Sequence, residues 1–135
     1  MTISVAMTAM LCSCGFMTPA KQYAGDALRP SDVAVIKGYL GTAFSGDYHA
    51  TIIGYTKNES NGPGERKKFG LPGFTDYPNE IHLMAGEYEV QVYCFKGLTS
   101  YRPIKTLELQ AGKTYLLQCE VREGQALIHV DASST

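Results

Sequence analysis

EIHLMAGEYEVQVYCF, residues 80–95, is the stretch whose reading decides the fold class of this chain. Two apolar-alternating runs flank a short Ala85-Gly86 corner, the pattern of a β-hairpin with its turn chemistry in place. Ile81 and Leu83 share one face of the incoming arm, while Tyr88, Val90, Val92 and Cys94 share one face of the outgoing arm. Successive side chains of a strand point to opposite faces, so this spacing creates an apolar face that another sheet must cover. TLELQAGKTYLLQCEV, residues 106–121, repeats the pattern. Leu107 and Leu109 precede Ala111-Gly112, and Tyr115, Leu117, Cys119 and Val121 follow on one face. Two such hairpins predict a sandwich.

Working outward, VAVIKG at 33–38 and TIIGYTK at 51–57 read as strands, and QALIHV at 125–130 completes the sheet. Residues 96–103, holding Gly97 and Tyr101, read as a loop. Residues 58–79, NESNGPGERKKFGLPGFTDYPN, carry three prolines and four glycines and read as one long irregular connection. The count is about seven strands with turn-punctuated spacing. The expected fold is all-β: a single immunoglobulin-like or transthyretin-like sandwich over 31–135.

The chain of 135 residues is 44% hydrophobic, enough for one domain with a core and too short for two ordinary ones. A formal net charge of -1 supplies no field to gather nucleic acid, which is therefore not expected as a partner. Fourteen glycines, nine tyrosines and no tryptophan suit strands and turns better than helices. No run after Cys14 approaches the ~20 apolar residues of a spanning helix.

Residues 1–13, MTISVAMTAMLCS, hold no charged side chain and are apolar enough for the core of an export signal. A buried N-terminal strand or helix is the competing reading. Leu11-Cys12-Ser13-Cys14 resembles the lipobox of bacterial lipoproteins, which implies cleavage after Ser13 and a lipid on Cys14. Residues 14–30 then read as a tether, with Tyr23 and Leu28 able to dock on the domain. Gly15 in place of an Asp retention signal points to the outer membrane, with the domain facing the periplasm.

Tyr23-Ala24-Gly25, Leu28 and residues 32–38 together resemble the start of small bacterial envelope lipoproteins of uncharacterised function. The corner Leu83-Met84-Ala85-Gly86-Glu87-Tyr88-Glu89-Val90 is similar to the hairpin of PEGA-like β-sandwich modules, with Ala85 where those modules usually have Pro. Ala111-Gly112-Lys113-Thr114-Tyr115 resembles the hairpin that often follows it. The resemblance implies a location and a fold, and no catalytic residues.

Candidate sites follow from residue type. His82 and His129 alternate with apolar neighbours and His49 precedes a strand, so no metal site and no cofactor are expected. There is no GxSxG, and Glu87, Glu89, Glu108 and Glu120 read as the solvated face of amphipathic strands, so no enzyme is expected. Arg66, Lys67 and Lys68 beside Phe69, with Phe74 and Tyr77, form the candidate binding group. The function expected is a non-catalytic binding or structural accessory module, held to the membrane by its lipid anchor and meeting an envelope protein partner. The alternative is a small-ligand or glycan binder that stacks on Tyr55, Phe74, Tyr77 and Tyr101. Parity turns both Cys94 and Cys119 toward the core, either as a disulfide or as two free buried thiols.

Overall fold

A computed structural model describes residues 20–41, 47–69 and 77–134, and most of them lie in strands. The first 13 residues, Cys14 and Phe74 lie outside the described residues. In chain order the strands are β1 (Ala20–Lys21), β2 (Ala34–Lys37), β3 (His49–Glu59), β4 (Gly62–Lys68) and β5 (Glu80–Leu83). They continue with β6 (Gly86–Lys96), β7 (Thr99–Tyr101), β8 (Ile104–Leu109), β9 (Lys113–Arg122) and β10 (Gln125–Ser134). One sheet runs β1-β5-β2-β9-β10; the other runs β4-β3-β6 with β7 and β8 both on the far side of β6. The two sheets pack face to face as an all-β sandwich. Among the described residues, leaving aside the two-residue β1, the strands number nine, not about seven.

The alternation puts one set of side chains from each sheet between the layers. Ile36, Ile81, Leu83, Tyr115, Leu117 and Ile128 meet Ile52, Tyr55, Tyr88, Val90, Val92 and Leu109 in one core cluster. Burying each aliphatic side chain is worth about 1.5–3 kcal/mol relative to leaving it in water. Cys94 on β6 and Cys119 on β9 join the two sheets through a disulfide, with Cα atoms 5.9 Å apart.

Neither supposed hairpin is one. Across the Ala85-Gly86 corner, β5 pairs with β2 (Ile36↔Ile81) and β6 pairs with β3 (Ile52↔Val92), in the opposite sheet. Across Ala111-Gly112, β8 pairs with β6 whereas β9 pairs with β10 and β2. Both corners are arches that carry the chain from one layer to the other. Their arms face each other through side chains instead of through backbone hydrogen bonds. Gly112, at φ +79°, occupies a backbone region closed to most side chains, which is what such a corner needs.

The hairpins that do form lie elsewhere. β6 turns at Gly97-Leu98 into β7 and then β8, and one register runs through both, from Lys96↔Thr99 to Gly86↔Leu109. Residues 96–103 are therefore half strand, interrupted at Arg102-Pro103 because proline has no N–H to give the ladder. More than half of the described residues of the 58–79 connection are strand as well. β3 turns at Ser60-Asn61 into β4, whose Arg66 and Lys67 pair with Thr56 and Tyr55.

Candidate functional site

Edge pairing sorts the basic run onto two faces. Successive residues of β4 alternate, so Lys67, opposite the buried Tyr55, turns toward the inter-sheet side, and Arg66 and Lys68 turn outward. Arg66 reaches across the outer face, its Nε donating to Thr56 Oγ1 at 3.4 Å and its Nη1 to Gln91 Oε1 at 3.3 Å. Phe69 packs toward the core at 5.9 Å from the Tyr55 ring, and its N–H donates to the Ile53 carbonyl. The expected binding group is thus divided. Arg66 and Tyr77 share the outer face, Lys67 lines a cleft, and Phe69 is anchored.

That outer face holds the densest chemistry of the described surface. On β6, Tyr93 and Phe95 alternate with buried Val92 and Cys94 and stack on each other at 5.1 Å, with planes inclined by 25°. His49, opposite Phe95 in the ladder, lies 4.9 Å from it, and Tyr77 lies 5.8 Å from Tyr93. The Arg102 guanidinium sits 5.7 Å from the Tyr93 ring, a cation–π contact from the link between β7 and β8. The four rings are half-buried, forming a continuous row along the sheet. Beneath it Thr51, register partner of Tyr93, is buried with its Oγ1 unpartnered. An unsatisfied buried hydroxyl costs about 1–3 kcal/mol.

The sequence reading singled out Tyr77 and missed His49, Tyr93, Phe95 and Arg102. A signal was there: Tyr93 and Phe95 occupy the face of β6 that Glu87 and Glu89 mark as solvated.

Two other concavities differ from this row. A cleft of about 300 Å³ opens between β1 and β4, lined by Gln22, Tyr23, Tyr55, Lys67, Met84 and Tyr88. Tyr55 donates to Gln22 Oε1 at 2.9 Å, and Tyr88 donates to the Met84 carbonyl at 2.8 Å. Burial pushes the Tyr55 hydroxyl up to about 12, with Tyr88 adding to the effect, and burial raises Tyr88 as well. Tyr55 is therefore a core side chain and no stacking platform, which corrects that part of the alternative reading. Tyr101 packs edge-on against Tyr48 at 6.2 Å, away from Tyr77.

On the opposite side of the sandwich, Tyr39, Asp47, Gln118, Glu120 and His129 line a polar cleft. His129 Nε2 pairs with Glu120, whose carboxyl it holds below the usual range, with Arg122 contributing. His82 pairs with Glu80 at 3.0 Å, so the three histidines stay on separate strands and in separate contacts. Among the described residues no three His, Cys, Asp or Glu side chains converge as a metal would require. No protein-family model, curated protein or solved structure matches the chain.

Proposed function

We propose that this chain is a non-catalytic recognition module of a bacterial envelope, binding a protein partner through the outer face of the β3–β6 sheet. The observation that carries the reading is the row His49, Phe95, Tyr93 and Tyr77, flanked by Arg102 and Arg66. Aromatic and arginine side chains are the types that dominate binding energy at protein interfaces. They lose little conformational freedom on binding here, because the sheet and their neighbours already hold them. The envelope location rests on the lipobox-like residues 11–14 and on the PEGA-like turn signature of residues 83–90. The Cys94–Cys119 disulfide supports an oxidising compartment. The lipid on Cys14 would tether the domain to the outer membrane, facing the periplasm.

Cross-linking in intact envelopes followed by pull-down tests the partner. A stoichiometric protein should be recovered with the wild type and lost with Tyr93→Ala, while the unfolding midpoint stays close to wild type. Recovery undiminished by Tyr93→Ala and Phe95→Ala together would move the interface elsewhere. Cys14→Ser should release the domain from membranes, and fatty-acid labelling should disappear with it. Glycan binding is the second reading, favoured by the stacked Tyr93–Phe95 pair above the unpartnered Thr51 hydroxyl. Calorimetric titration with envelope oligosaccharides, lost in Tyr93→Ala without any protein recovered, would select it.

A further inference from the structure

An exposed strand edge offers unpaired N–H and C=O groups to any other chain, and proteins ordinarily blunt such edges. Among the described residues the two sheets present four edges, and three of them are blunted. β1 is two residues long. β4 carries Pro63, Lys67 and Lys68, with a register shift in its pairing to β3. The β7–β8 edge is broken at Pro103 and carries Arg102 and Lys105. β10 has none of these devices. It runs for ten residues, QALIHVDASS, antiparallel to β9 in one unbroken register, with no Pro, Lys or Arg. Among the described residues no strand lies beyond it. Leu127, at 48% exposure, stands on its outer face with His129 and Asp131.

We infer that the β10 edge is the pairing surface for a second copy of this chain, joined antiparallel about a two-fold axis at Val130. Parity restricts the choices. With the axis perpendicular to the sheet each residue must meet one facing the same side, so the axis passes through a residue and not between two. An axis at His129 sets imidazole against imidazole, and an axis at Asp131 sets carboxylate against carboxylate. An axis at Val130 sets His129 against Asp131 of the other copy twice, Val130 against Val130, and Ile128 against Ala132. Residues 126–134 of both copies are then paired. Glu120 already pairs with His129 from β9, so the imidazole ring lies between two carboxylates, one from each copy. The result is one continuous sheet of ten strands, from the five of each copy. This surface is separate from the aromatic row, and the inference does not depend on the proposed function.

Sedimentation equilibrium of the full chain across a concentration series tests the inference directly. The wild type should move toward twice the monomer mass, and Asp131→Lys should remain at monomer mass throughout. Amide exchange on the wild type supplies a readout that no variant can spoil by misfolding. Within 126–134, alternate amides that do not bond to β9 should gain protection as concentration rises. Val130→Cys should cross-link to itself under mild oxidant, and Leu127→Cys, facing Ser133, should not. A monomer at every concentration with concentration-independent exchange would overturn the inference. So would cross-linking of Val130→Cys to a different envelope protein, or equal self-cross-linking at both positions.

Discussion

The two sides of the sandwich are closed by different means. On the β6–β9 side the layers are joined covalently by Cys94–Cys119, and the strand beyond, β10, has a bare edge. On the β1–β4 side the layers are held by a Tyr55–Gln22 hydrogen bond over an open cleft, and the strand there is guarded by Pro63 and lysines. The guarded side is weakly closed and the unguarded side strongly closed. An edge meant to meet another chain gains from a rigid frame behind it, since ordering it on contact would subtract from affinity. A charged, proline-bearing edge over a loose cleft can move without recruiting strays.

The largest expected effect comes from cutting the covalent side. The bridge spans a sequence separation of 25 residues. Opening it with Cys94→Ala and Cys119→Ala together should cost about 3.5 kcal/mol by the chain-entropy account. Urea unfolding of the double variant measures this; a loss under about 1 kcal/mol would erase the contrast between the two sides.

A smaller effect is expected across the cleft. Tyr55→Phe removes one hydrogen bond between the layers and should cost about 1 kcal/mol at neutral pH. The same hydroxyl sets an alkaline limit. Folding raises its pKa to about 12, so between pH 10 and 12 the folded chain keeps a proton that the unfolded chain has lost. Stability is full below pH 10 and falls as pH climbs toward 12. Urea midpoints taken across this range should decline steeply in wild type and less in Tyr55→Phe. At the acid end the sign reverses for Glu120, whose carboxyl is held low by His129, so its contribution is lost as pH falls through the folded-state value.

The smallest effect on stability, and the sharpest on the comparison, comes from removing the guards. Lys67→Thr with Lys68→Thr should change stability by no more than about 0.5 kcal/mol, since both are surface positions. Light scattering should nevertheless show new concentration-dependent association through β4. If the variant stays as dispersed as wild type, the lysines are not what keeps that edge unpaired.

How much of this was legible depended on what alternation can carry. The apolar faces of 80–95 and 106–121 were readable, and with them the need for two layers. Which strands would be neighbours was not. A hairpin and an arch leave the same spacing around Ala85-Gly86 and Ala111-Gly112, because parity records the face and is silent on the partner. β4 escaped because Glu65, Arg66, Lys67 and Lys68 present no apolar face at all; backbone pairing to β3 makes it a strand regardless of side chains. β7 escaped because Gly97 and Pro103 make its stretch read as a loop, and only the register it shares with β8 on β6 shows one edge. The aromatic row was half legible. Tyr77 drew notice as part of a glycine- and proline-rich stretch, while Tyr93 and Phe95 were overlooked inside an ordinary strand.

The arches also fix an order of events during synthesis. β2 emerges early from the ribosome, yet its hydrogen-bonding partners are β5 and β9, both made much later. β3 similarly waits for β6. An amino-terminal fragment that stops before β9 holds every strand of the β3–β6 layer but cannot complete the other, and it would leave Ala34–Lys37 with one side unpaired. Acquisition of the native state should need β2 through β10 together, with the slow pace of structures built from distant pairings.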